Sequence, residues 1–249
     1  MIVDSIRFGF QNIFNKNVLV FALLLSFPFI FLITFSSLLF KNFSIIGLVT
    51  VVIFSIFYST FVHGCLILSS FEIIKKNKEI NYKEIVRGML PLYPGFLLIT
   101  LLINFIFGLS FLPFFVLSFV LVASLDKLLI WFISFLFCLF IGFYILYRMI
   151  PSLYIYLIDK KGIIQSIKTS WKISNGHVLR LFLINVVGAI ILSAIGALTM
   201  FFSIVVFKNA ILSSLIFLIF QVLIWIYQVF SISFAYNRFL RKPLKKKNK

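Results

Sequence analysis

Residues 128–147 read LLIWFISFLFCLFIGFYILY, twenty residues without an Asp, Glu, Lys or Arg, and Arg148 follows at once. About 20 apolar residues are what a helix needs to cross a hydrocarbon core about 30 Å thick. The stretch therefore reads as a transmembrane helix. The rest of the chain agrees: of its 249 residues 63% are hydrophobic and 12% charged, with 35 Phe. Soluble domains average about 45–50% apolar and about 25% charged, so a water-soluble globule is excluded. Five further charge-free runs occur at 17–40, 42–71, 88–125, 181–207 and 209–237. The run 88–125 is too long for one straight crossing. Pro94-Gly95 interrupts its beginning, and Pro113 kinks or ends it; a re-entrant piece over 113–125 is the alternative. The expected fold is an all-α polytopic membrane protein with six transmembrane helices.

The charges between these runs are segregated. The N-terminal segment, the connections near 75–87 and 148–180, and the segment after the last run hold 20 of the 23 Lys and Arg; Lys41, Lys127 and Lys208 lie in the other connections. Basic residues collect on the cytoplasmic side. Both termini are thus expected in the cytoplasm of a multi-pass protein of the plasma (cytoplasmic) membrane, which requires an even number of spans. Seven of the residues from Arg238 to Lys249 are basic, a tail suited to anionic lipid. No cleavable signal is expected, because the first apolar run is long and lacks a small-residue cleavage site.

Three short segments with helical periodicity precede alternate spans. In the first, Ile2, Ile6, Phe10 and Ile13 share a face opposite Asp4, Gln11 and Asn15. In the second, Tyr82, Ile85, Met89 and Tyr93 do so, and Asn81-x-x-Glu84 has capping-box spacing. In the third, Ile163, Ile167 and Trp171 oppose Gln165, Lys168 and Lys172. Such helices with basic polar faces lie at a membrane surface. Asn15, Gly95 and Asn175 recur at intervals of 80, and these residue types tolerate positive φ at a helix end. Asn104 and Asn185 are 81 apart, as are Lys127 and Lys208. The spacing predicts three parallel units, each an interfacial helix plus a transmembrane hairpin, over 1–74, 75–158 and 159–237. Together they form one membrane domain, followed by the basic tail 238–249.

None of the six acids lies in a charge-free run, which argues against ion-coupled transport and intramembrane aspartyl chemistry. The chain has two His, no H-E-x-x-H and no Gly-rich phosphate loop, so no catalytic residue, metal or cofactor is expected and the protein reads as a non-enzyme. Ser170 and His177 are too isolated to form a nucleophile and base. Cys65 and Cys138 read as buried small hydrophobes. His63, Asn104, Asn185, Gln221 and Gln228 are the intramembrane polar candidates, either joining helices by hydrogen bonds or lining a polar path. Ala189, Ser193 and Ala197, with Gly188 and Gly196 beside them, suit close helix packing within the bundle or at a dimer face.

The stretch 148–176 reads Arg148-x-x-Pro151, Asp159-x-x-Gly162, Ser166-x-x-x-Ser170-Trp171 and Asn175-Gly176. It resembles the membrane region of glycerophosphoryl diester phosphodiesterase-like proteins and related uncharacterised six-span families of archaea and bacteria. The resemblance implies a proline at a span end, an acidic-Gly turn, a short Ser-Trp helix and a Gly before the next span. It does not carry the phosphodiesterase activity, whose soluble domain and metal-binding His and Glu/Asp have no counterpart in these residues. Arg148 either snorkels to the headgroups or contacts a lipid phosphate. Arg148, Pro151, Asp159, Gly162, Ser170, Trp171, Asn175 and Gly176 are the candidate headgroup motif.

The expected function is that of a non-catalytic membrane protein organising lipids or partner proteins, with anionic headgroups, a protein partner or a second copy as partners. The alternative is a permease or export component for an apolar or lipid-like substrate. Nucleic acid is not an expected partner.

Overall fold

A computed structural model describes residues 2–25, 45–76, 81–121, 128–207 and 210–241, and the described chain is helical with no strand. Among the described residues, five helices are long and apolar enough to cross a membrane: Val51–Lys75, Tyr82–Val116, Ile130–Asp159, Val178–Ser203 and Ile219–Leu240. The protein is thus an all-α, multi-pass membrane protein. The first expected span, 17–40, begins in a described helix, but its residues 26–40 lie outside the described residues, as do Lys41, Lys127, Lys208 and 242–249. The chain forms two compact units, Met1–Tyr93 with Leu183–Lys249, and Pro94–Phe182.

In the first unit, α1 (Ile2–Ile13) and α2 (Lys16–Leu25) meet at 72°. Asn15 does not close α1 in a left-handed conformation, as its spacing had suggested. Among the described residues only Lys160 and Gly176 have positive φ. Asn15 instead starts α2: its side-chain oxygen accepts from the amide of Asn17 (3.1 Å) and its carbonyl from that of Leu19 (2.9 Å). The packed face of α1 also differs from the expected apolar stripe. Ser5, Gly9, Asn12 and Ile13 are buried, while Ile2, Ile6 and Phe10 are half-exposed. The small residues let α1 approach α11 (Ala210–Ala235) closely: a Cβ on Gly9 would stand 2.8 Å from the Tyr227 ring and 3.1 Å from Ser231. Phe8 and Phe10 flank this contact, stacked on Phe234 and tilted against Tyr227.

Helix α3 (Ile45–Lys76) also packs on α11, where the hydroxyls of Ser70 and Ser233 share a hydrogen bond of 2.5 Å. Helix α4 (Tyr82–Met89) folds back on α3. Asn81 caps it, accepting from the Glu84 amide, and Ile85 and Met89 are buried, as the capping spacing and period require. A single 3₁₀ turn, Leu90–Leu92, joins it to α5 (Tyr93–Leu109), so residues 82–109 form one helical run, and a turn at Ser110 and Phe111 precedes the remainder of the apolar stretch to Val116. On α10 (Val178–Phe207) the packing side is Gly188, Leu192 and Gly196. The Tyr227 ring occupies the space of a Cβ at Gly188, and a Cβ at Gly196 would stand 2.9 Å from Phe220. Ser193 and Ala197 of the expected small-residue stripe point outward, and Ala189 is half-exposed. The close approach is made one residue round the helix.

The second unit takes the rest of α5 with α6 (Leu112–Leu121), α7 (Leu128–Met149), α8 (Pro151–Asp159) and α9 (Ile163–Ile173). Gly95 lies inside α5 rather than at a helix end, and its bare Cα makes room for the Tyr156 hydroxyl of α8. Pro113 falls in the first turn of α6, where its missing N–H costs no hydrogen bond. The proline thus begins a helix after the turn at Ser110 and Phe111 instead of ending one. Residues 122–125 of the candidate re-entrant piece lie outside the described residues. Phe107, Phe111, Phe114, Trp131 and Phe135 interlock between α6 and its neighbours. Cys65 and Cys138 are buried thiols in their respective units.

Candidate functional site

Arg148 stands in the last turn of α7. Pro151, three residues on, has no amide hydrogen, so it divides the helical run Ile130–Asp159 into α7 and α8 without ending it. A helix broken away from water must have its freed carbonyls satisfied by neighbours, often by Ser and Thr. Here α9 supplies them. Ser170 donates to the Arg148 carbonyl at 2.6 Å and to that of Met149 at 3.4 Å, and Ser174 donates to the Arg148 carbonyl at 3.3 Å. Ser152 adds a 2.6 Å bond to the Met149 carbonyl. Ser166, Ser170 and Ser174 are all fully buried. As in α1, the docked face of α9 is its small-residue stripe, and the expected stripe of Ile163, Ile167 and Trp171 is left half-exposed or exposed.

This docking brings Trp171 and Asn175 to the Arg148 side chain. The guanidinium lies 4.7 Å from the centre of the Trp171 ring and 5.1 Å from that of Tyr144, and its Nη2 donates to Asn175 Oδ1 at 2.6 Å. The Nε is buried and has no acceptor among the described residues. Gly176 takes φ +75°, the left-handed turn that joins α9 to α10 and that a residue with a Cβ rarely adopts. His177 is next. Partial burial, then the nearby Arg180 charge, hold its imidazole below the ordinary histidine range, so it is neutral at pH 7.

The eight motif residues therefore divide. Arg148, Ser170, Trp171, Asn175 and Gly176 form one cluster, which Pro151 serves through the backbone. Asp159 and Gly162 are not part of it. They bound the turn at the far end of α8, about 16 Å along the helix from Arg148 by its rise. The left-handed residue of that turn is Lys160, and Gly162 is extended with open space around it.

Tyr144 also lines an apolar cavity of about 730 Å3. It is lined by Leu139, Phe140, Ile141, Phe143, Tyr144 and Tyr147 of α7, with Gly176, Val178, Leu179 and Phe182. Apart from Gly176, these residues are not among the candidates the sequence singled out. The signal was present in the aromatic spacing of Phe140, Phe143, Tyr144 and Tyr147 but is lost in a run where nearly every residue is apolar.

Of the intramembrane polar residues, four belong to the first unit and Asn104 to the second. His63 joins α3 to α11, its Nδ1 accepting from the Trp225 indole at 2.7 Å. Asn185 and Gln228 are half-buried in the same unit, where Gln221 is exposed; Asn104 is an exposed residue of the other unit. Tyr227, which sequence reasoning passed over, does more in the packing: its hydroxyl donates to the Ile184 carbonyl at 2.6 Å, and its ring fills the notches at Gly9 and Gly188.

Fold and site together define a helical multi-pass membrane protein with an arginine boxed by aromatic rings where a charge-free helix ends. No family model, curated protein or solved structure matches the chain.

Proposed function

We propose that the protein is a non-catalytic membrane protein that organises lipids at the cytoplasmic face of the plasma membrane. The observation that carries this reading is the placement of residues on α1, α4 and α9. Their packed faces are narrow, and bulky apolar side chains stay exposed on or beside them: Val3 and Phe14, Leu90, Ile164 and Trp171. Exposed cations accompany them at Arg7, at Lys83 and Arg87, and at Lys168 and Lys172. An apolar surface edged by Lys and Arg is what an anionic bilayer interface binds.

The same helices support three parallel units and six spans. Each buries an i, i+4 pair, Ser5 and Gly9, Ile85 and Met89, Ser166 and Ser170, and these pairs recur at intervals of 80 and 81 residues. Helix α4 packs on α3 and α9 on α8, in each case the helix before it in the chain, while α1 packs on the last helix, α11. The 72° bend after α1 suits a surface helix whose successor, α2, opens the first span.

Mass spectrometry of lipids retained by the purified protein tests this reading. Anionic lipids are expected to be enriched over the membrane extract, and the triple change R7Q, R87Q and K168Q to reduce the enrichment. A protein that retains no lipid and instead moves a solute across liposomes overturns it in favour of a permease.

A further inference from the structure

We infer that Arg148 and the cavity lined by Tyr144 bind one anionic phospholipid, its phosphate on the guanidinium and one acyl chain along α7. This rests on the lipid-organising reading and assigns it a discrete site.

Three observations converge. The guanidinium is always charged, yet its partners are neutral: the Asn175 amide and the rings of Tyr144 and Trp171. An arginine has five N–H donors; one serves Asn175, and a phosphate takes bidentate bonds from such a group. The cavity and the guanidinium share the Tyr144 ring, which lines the one and lies 5.1 Å from the other. From Tyr147 to Leu139 the cavity follows α7 for about 12 Å, most of one leaflet of a core about 30 Å thick. Its volume lies in the usual range of small-molecule sites, about 300–1,000 Å3. Phe140 and Leu179 on its walls are both 69% exposed, so a chain enters sideways from the bilayer.

The pairing of a cation with an apolar channel selects the occupant. A free phosphate would leave the channel empty, and a neutral lipid would leave the charge without a counterpart. A second copy of the chain would have to bring a carboxylate, and the chain has six acids against 23 basic residues. A lipid with one phosphate charge and a chain satisfies both halves of the site.

The test is native mass spectrometry of the full chain titrated with phosphatidylglycerol and phosphatidylcholine of identical chains. Wild type is expected to take up one phosphatidylglycerol with about tenfold preference, a charge-assisted contact's worth. R148Q should abolish the preference, and R148K, which keeps the charge, should retain part of it. L179W, which narrows the channel, should weaken both lipids alike while leaving the preference intact. Equal thermal stability and monodisperse elution of R148K and L179W establish that these variants fold.

An unchanged preference in R148Q and unchanged affinity in L179W overturn the site. If native anionic lipid is still enriched in that case, the lipid-organising reading survives; a wild type that binds no lipid ends both. Inorganic phosphate binding that is lost in R148Q but indifferent to L179W makes the ligand a free anion, and a dimer broken by L179W makes the occupant a second copy. Either result overturns the proposal.

Discussion

The carbonyl of Arg148 accepts from two serines 22 and 26 residues further along the chain. Either hydroxyl alone leaves it a partner, so S170A and S174A should each cost about 0.5–1 kcal/mol, a usual net hydrogen bond. The double variant leaves a partly buried carbonyl, freed at the proline break, without a side-chain donor, and it should cost about 1 kcal/mol more than the sum of the two. Urea or thermal unfolding in detergent of the four proteins reads the coupling; strict additivity would mean that the serines only fill space. His177 supplies a pH dependence. Its pKa is lowered on folding, so the unfolded chain binds the proton more readily. The stability it contributes is complete above the ordinary histidine pKa of about 6.5 and is lost as the pH falls through the lower folded value. The melting temperature of wild type should drop more steeply below pH 6.5 than that of H177N. The motif residues themselves were legible in the sequence, because a charge, a proline and a Ser-Trp pair stand out in an apolar chain. Their division into a cluster and a separate turn was not, since it depends on the docking of α9.

At the level of helices, periodicity located α1, α4 and α9, and capping chemistry placed the start of α4 at Asn81. It misassigned the packed faces of α1 and α9. In water an apolar stripe turns inward; in lipid an apolar stripe gains nothing by doing so, and close packing of small residues decides the interface. Ser5 with Gly9, Ser166 with Ser170, and Gly188 with Gly196 are those residues. The notch at Gly188 gives a sharp prediction. G188A places a methyl group inside the space of the Tyr227 ring and should cost about 1–3 kcal/mol as overpacking. In a Y227A background the ring is gone, and the same substitution should be nearly neutral. Equal costs of G188A in the two backgrounds, measured by unfolding, would remove Tyr227 as the cause.

For the molecule as a whole, the distribution of Lys and Arg makes a prediction about orientation. Alkaline phosphatase fusions, active only outside the cytoplasm, should be active at 127 and 208 and inactive at 78, 160 and after 249. With a cytoplasmic N-terminus, activity after residue 249 would require an odd number of spans and would end the six-span, three-unit reading. That the chain lives in a membrane as a set of long helices follows from hydropathy and charge, which are additive along the chain and need no knowledge of neighbours. Which sides of those helices touch does not follow. Where nearly every residue is apolar, burial no longer separates inside from outside, and the contacts are chosen by steric fit between residues far apart in sequence, Gly9 with Tyr227 and Ser170 with the backbone of Arg148. Only the folded structure brings an arginine, two aromatic rings and an open apolar channel to one place.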